Sequence, residues 1–250
     1  MKKLVLIPTY NEIENISLIV NAVLGLASNY HILIIDDNSP DGTANRVKNL
    51  QSKFQGRLFL ESRVGKLGLG TAYIHGFNWA LENEYDYIFE MDADFSHNPN
   101  DLDRLLEACI NGADLSIGSR YVKGGETQNW PLDRKLYSWG GSAYTRLITW
   151  MPIKDPTAGF VCYSNKVLSS INFDTIKFIG YAFQIEMKFA TWKLGFKIKE
   201  VPITFIDRKI GVSKMSKGII KEAILGVLNM QWQSVSGRFI KSIKRIRVNF

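Results

Sequence analysis

The chain has 250 residues, of which 46% are hydrophobic and 22% charged: enough apolar material for a sizeable core, and too much for a disordered chain. Its formal net charge of +7 suits phosphorylated ligands, nucleic acid or an anionic membrane surface as partners. Two cysteines, Cys109 and Cys162, without metal-ligand spacing exclude a disulfide scaffold and argue against a zinc site.

Leu4–Pro8 reads as a strand, followed by a helical pattern from Asn15 to Ala27. His31–Ile35 is a second apolar strand and ends in Asp36-Asp37; Thr43–Phe54 then reads as a helix and Leu58–Glu61 as a short strand. A turn with Gly65, Gly68 and Gly70 opens a helix through Leu81, and the strand Tyr87–Met91 again ends in acids. Asp101–Asn111 is helical and Ala113–Gly118 a strand. Beyond residue 120 the spacing predicts a polar loop over Val122–Asp133, a helix over Lys135–Met151 and a turn plus strand over Asp155–Tyr163. A helix over Ala182–Lys193 and strands over Phe196–Val201 and Thr204–Ile206 follow. Near-continuous apolar strands alternating with helices predict an α/β fold, its mostly parallel central sheet covered on both faces. Ligands of such sheets bind beyond the carboxyl ends of the strands.

Those ends carry the unusual residues. Pro8-Thr9-Tyr10-Asn11-Glu12 reads either as a helix cap or as an aromatic and polar clamp for a nucleotide base. Ser39 to Thr43 are ordinary turn residues, but two adjacent carboxylates leaving a buried strand suit ribose hydroxyls. Asp92 and Asp94, spaced i and i+2, can share one hard cation such as Mg2+ or Mn2+ together with substrate phosphates. His97 reads as a loop residue or a support for these acids rather than as a ligand. The glycine turn does not match a phosphate loop or a dinucleotide fingerprint and reads as a backbone turn near the nucleotide, with Lys66 a candidate contact. Arg120, Arg134, Arg208 and Lys214 stand in turns where a diphosphate needs cations.

The motifs PTYNE, DDNSPDGT, GKLGLGTA, MDADFSH, GSRY and VPITFIDRKIGVSKM, in this order over roughly residues 1–220, resemble those of polyprenol (dolichol) monophosphate mannose synthases. These are inverting enzymes of glycosyltransferase family 2 with the GT-A nucleotide-diphospho-sugar transferase fold. The resemblance implies GDP-mannose as donor and a polyprenyl phosphate as acceptor. It implies that Pro8, Tyr10 and Glu12 hold the guanine nucleotide, with Ile35 and Asp37 lining its base and ribose pocket. Asp92 and Asp94 become the metal acids and Ala93 a backbone contact. Arg208 and Lys214 fall near the donor diphosphate, and Arg120 and Arg134 near the acceptor phosphate. Asp94, Arg120, Arg134 and Arg208 are thereby the candidate catalytic residues. Phe95-Ser96 departs from the Gln or Leu common in the family, and no third metal contact is assigned to Ser96.

The expected organisation is a GT-A catalytic domain over 1–217 and an amphipathic helix with a basic tail over 218–250. After Glu222 no acid remains, while Arg238, Lys241, Lys244, Arg245 and Arg247 alternate with apolar residues. That pattern suits an interfacial helix on anionic lipid, or a core-packing helix with a solvated tail. No leader pattern and no run of about 18–20 apolar residues is visible. The expected location is therefore the cytoplasmic face of a membrane, by the tail or through a small membrane-protein partner. The rival readings are a family 2 enzyme using a UDP-sugar and a basic nucleic-acid-binding module; the second is set aside because no RNA motif is present and the acidic strand ends would repel phosphates without a metal.

Overall fold

In a computed structural model the described residues are 1–180, 182–207 and 217–244, with backbone alone for 217–223. The elements run β1 (Lys3–Thr9), α1 (Ile16–Leu24), β2 (His31–Asp36), α2 (Thr43–Gln51), β3 (Leu58–Ser62), α3 (Leu69–Glu82), β4 (Tyr87–Glu90), α4 (Asp101–Ile110) and β5 (Leu115–Ser119). Then follow β6 (Glu126–Gln128), α5 (Leu132–Thr149), β7 (Val161–Ser164), α6 (Asn165–Leu168), α7 (Ala182–Lys193), β8 (Ile198–Pro202), β9 (Thr204–Ile206), α8 (Lys217–Val235) and α9 (Arg238–Ile243).

A seven-stranded sheet has the order β3-β2-β1-β4-β7-β5-β8. All its pairings are parallel except those of β7, which is antiparallel to both β4 and β5. β4 and β5 therefore still point the same way, and the carboxyl ends of β1, β2, β4 and β5 share one edge of the sheet. β1 and β2 are buried on both faces, which is why Leu4–Ile7 and Ile32–Ile35 are apolar without alternation. One face packs on α3, α7, α8 and α9, the other on α1 and α4.

One sequence expectation changes. Val122–Asp133 is not an open loop: β6 lies within it and pairs in parallel with β9 in a separate two-stranded sheet, and α5 begins at Leu132. Two apolar residues of the basic tail face the core, as in the core-packing alternative, while Ile240 between them is exposed. Phe239 and Ile243 of α9 are buried in the same core as Val227 and Met230 of α8, and the Phe239 ring meets Phe189 of α7 at 4.9 Å. Residues 245–250, with Arg245 and Arg247, lie outside the described residues.

Candidate active site

The first strand end is tied to the second. Pro8 pairs with Ile35 and Thr9 with Asp36. Asp36 is buried and accepts from the Thr9 hydroxyl at 2.9 Å and from Ser39 N–H and Oγ at 2.9 and 2.6 Å, so it closes the turn. Asp37 is the carboxylate held toward the edge: Arg63 Nε lies 2.6 Å from its Oδ1. Arg63 also donates to Thr71 Oγ1 and to the Gly68 carbonyl, so it fixes the glycine turn as well. The Ile35 side chain is fully buried against Gly76 in the core, so only its backbone is available to a nucleotide. Glu12 is half-buried; its Oε2 accepts from Asn15 and its N–H donates to Thr43 Oγ1.

The glycine turn approaches this edge. Lys66 Nζ sits 5.1 Å from the centre of the Tyr10 ring, placing the candidate cation beside the candidate base clamp. The glycines themselves serve packing. Gly70 N–H donates to the Ile179 carbonyl, and a methyl at Gly70 would stand 2.7 Å from the Phe178 carbonyl oxygen.

β4 delivers the acidic turn. Met91 N–H still donates to the Leu6 carbonyl, extending the ladder one residue past β4. The Asp92 side chain is 40% exposed, while Ala93 is buried. Ser96 N–H donates to Asp94 Oδ1 at 3.0 Å, and the Ser96 residue itself is buried. Phe95 has φ 61°, a left-handed conformation that costs a non-glycine residue about 1–3 kcal/mol and persists only where surrounding contacts fix it. His97 is buried, stacked on Phe160, and its Nδ1 faces the Asp92 N–H at 3.2 Å. Burial pushes its pKa down to about 4, so the ring is neutral at physiological pH. Behind the turn, Glu90 and Lys188 are both fully buried. Burial raises Glu90 to about 8, only partly offset by Lys188, and lowers Lys188 to about 8. Lys188 Nζ donates to the Ala158 carbonyl at 2.6 Å and to Gln184 Oε1 at 3.0 Å.

β5 delivers Arg120, which the resemblance places near the acceptor phosphate. Its side chain is only 9% exposed and is gripped by Asp155, with Nε to Oδ2 at 2.7 Å and Nη2 to Oδ1 at 2.6 Å; Nη2 also donates to Thr157. Burial opposes its charge, but Asp155 more than compensates, so its pKa is raised. Arg120 thus anchors the 155–157 turn rather than presenting an open cation. Arg134 is more accessible. It donates to Asp207 at 2.6 Å and lies 4.3 Å from the Trp130 ring centre. Trp130 has Arg120 near it at 5.4 Å and meets Phe205 edge-on at 5.2 Å, and Phe205 in turn meets His97 at 5.4 Å. The acidic turn and both arginines therefore belong to one cluster. Arg208 and Lys214 lie outside the described residues. The pairings of Arg63 with Asp37, Asp155 with Arg120 and Asp207 with Arg134 have no local signature, because the partners lie 26, 35 and 73 residues apart.

The comparisons with known proteins fall on this edge. The family model of Glycosyl transferase family 2 matches residues 4–171, which hold every strand end just described. The chain belongs to glycosyltransferase family 2. It is 45% identical over 242 residues to an undecaprenyl-phosphate mannosyltransferase of Micrococcus luteus, covering 95% of this chain and 99% of that protein. It is 46% identical over 226 residues to a polyprenol monophosphomannose synthase of Mycolicibacterium smegmatis, covering 90% and 85%. A dolichol-phosphate mannosyltransferase of Pyrococcus furiosus is 38% identical over 250 residues, covering 96% and 67%. Among solved structures, glucosyl-3-phosphoglycerate synthase of Mycobacterium tuberculosis with Mn2+, UDP and phosphoglyceric acid aligns with a TM-score of 0.65 over 94% of this glycosyltransferase and 78% of that chain. Identity there is 16%, so the likeness is one of fold, and it agrees with the GT-A architecture.

Proposed function

We propose that this family 2 glycosyltransferase moves mannose from GDP-mannose to a polyprenyl phosphate, with inversion, giving polyprenyl phosphate β-mannose. The observation that carries the reading is the 45% identity spanning 99% of an undecaprenyl-phosphate mannosyltransferase. Tyr10 with Lys66, Glu12 and Asp37 frame the nucleotide end of the site, and Arg63 keeps Asp37 in place. Asp92 and Asp94 are hard oxygen donors at the strand end and fit Mg2+ or Mn2+. Among the described residues no group of three or more His, Cys, Asp or Glu could hold a metal, so such an ion would draw its other ligands from phosphate and water. When bound, the metal offsets the charge of the departing diphosphate.

The acceptor phosphate is already anionic. Its oxygen attacks the anomeric carbon as the bond to GDP breaks, and no strong general base is needed. The protein's part is alignment and charge placement. Arg134, at the rim, is the acceptor-phosphate candidate, while Arg120 holds the platform beneath it. Arg208 and Lys214 keep their assignment near the diphosphate on the resemblance alone.

A lipid acceptor requires a membrane-facing surface. No described helix is long and apolar enough to cross a bilayer. Leu132, Leu136, Trp139, Leu147 and Trp150 are exposed at helical spacing in and just after α5, and Leu225, Leu228, Trp232 and Val235 are exposed at helical spacing on α8, which packs on α5. With Lys135, Arg146 and the α9 cations Arg238 and Lys241 on these helices, this apolar surface fits the interface of an anionic bilayer better than the tail does.

The test is transfer of labelled mannose from GDP-mannose to a short polyprenyl phosphate in detergent, with and without Mg2+ or Mn2+, and with UDP-glucose as the rival donor. Metal-dependent lipid label from GDP-mannose alone is expected. Asp94→Ala should lower it by about 100-fold or more, since even supporting groups of metal sites are worth 10–100-fold. Full activity of that variant at saturating metal would overturn the assignment.

A further inference from the structure

We propose that His97 is a positioning residue for the acidic turn: its ring, clamped between two phenylalanines, accepts the Asp92 main-chain N–H and sets where the Asp92 carboxylate meets a nucleotide-bound divalent ion. The inference rests on the donor-site reading above and adds to it a residue that touches neither sugar nor phosphate.

The geometry is specific. The β4–β7 pairing ends at Glu90 opposite Val161, and the Met91 N–H goes to the Leu6 carbonyl. Asp92 is thus the first residue whose N–H leaves the sheet, and the acceptor waiting for it is His97 Nδ1 at 3.2 Å. A backbone N–H only donates, so Nδ1 accepts and the ring proton resides on Nε2. Asp92 Oδ2 is 3.9 Å from the same nitrogen, too long for a hydrogen bond, so the ring holds the backbone of Asp92 rather than its carboxylate.

The ring is itself held from elements remote in sequence. Phe160, just before β7, stacks on it at 4.8 Å and 10°, and Phe205 of β9 meets it edge-on at 5.4 Å and 79°. Ile206 N–H then donates to the Ser96 carbonyl at 3.3 Å, joining β9 to the acidic turn a second time. A reversal with Phe95 in the left-handed region needs such fixed points, or the two carboxylates would sample many separations. Groups that orient metal ligands typically change metal affinity by about 10–100-fold when removed.

The experiment is a Mn2+ titration of the full chain with GDP, following the signal of free Mn2+ by electron paramagnetic resonance, alongside thermal melting and mannosyl-transfer kinetics. His97→Phe keeps the stacked ring and loses the acceptor. His97→Asn keeps an acceptor near the Nδ1 position and loses the stack. The expected result is Mn2+ uptake weakened about tenfold in His97→Phe and held within about threefold in His97→Asn, with the kinetic loss of His97→Phe partly recovered at high Mn2+. Wild-type uptake by His97→Phe, or an equal loss in His97→Asn, overturns the inference. Should His97→Phe fail to fold, His97→Asn decides it: near-native uptake supports the acceptor role and a tenfold loss overturns it. A wild-type chain that takes up no Mn2+ with GDP overturns the donor-site reading and this inference with it. Native uptake in wild type and His97→Phe alike overturns this inference alone.

Discussion

Asp36 and Asp37 are neighbours with different work. The first closes a turn through Thr9 and Ser39, and the second is held by Arg63. Replacing Arg63 with Met leaves a largely buried carboxylate without its counter-charge. Arg63→Met is expected to weaken GDP binding about tenfold, roughly 1.4 kcal/mol, in isothermal titration calorimetry. Native affinity would mean that Asp37 does not depend on Arg63. The acidic strand end was legible because a charged pair after an apolar run is a local pattern. Arg63 was not, because it stands 26 residues further on and meets Asp37 only when β3 pairs with β2. Glu90 offers a second test at this scale. Its folded pKa of about 8 is above the ordinary 4.5, so the fold binds its proton more tightly than the unfolded chain does. Its contribution is fully present below pH 4.5 and is lost as pH rises through 8. Glu90→Gln cannot ionise, so its urea midpoint should gain on wild type steadily between about pH 5 and pH 8.5. A constant difference across that range would show that Glu90 titrates as an ordinary carboxyl.

At the scale of elements, the strands of the main sheet were legible, β7 among them as the end of the turn and strand expected over Asp155–Tyr163, but its antiparallel direction was not. β7 reads VCYS, four residues with no directional signal, and its place between β4 and β5 is set by the strands it fills. β6 reads ETQ, polar and too short for any periodicity, and exists through its pairing with β9. α8 is legible as a helix, but its docking depends on one small residue. A methyl at Gly226 would overlap the Phe178 ring, so the ring or the helix must move. Gly226→Ala raises intrinsic helix propensity yet is expected to destabilise the protein by about 1–3 kcal/mol in denaturant unfolding. Equal or greater stability would mean that α8 is only loosely seated there.

Over the whole molecule, charge and apolar surface are divided differently from what the tail alone suggests. Removing residues 237–250 would take Phe239 and Ile243 out of the core, so that truncation reports on folding before it reports on lipid. The informative variant is Trp139→Ser with Leu147→Ser and Trp150→Ser, at residues that are 61%, 74% and 71% exposed. It is expected to leave the melting temperature nearly unchanged and to lower co-sedimentation with anionic vesicles severalfold, with binding in wild type falling as salt rises. Unchanged vesicle binding would remove this surface from the membrane reading. By itself the sequence determined the α/β alternation, the acidic strand ends and the family, because apolar runs, turn residues and ordered motifs are properties of contiguous residues. Only the tertiary structure decided that Arg63 serves Asp37, that Asp155 occupies Arg120, that Phe160 and Phe205 enclose the His97 ring and that Phe239 and Ile243 of the tail are core. Each of those depends on which distant segments the sheet and its helices bring within a few ångströms, and no local spacing encodes that.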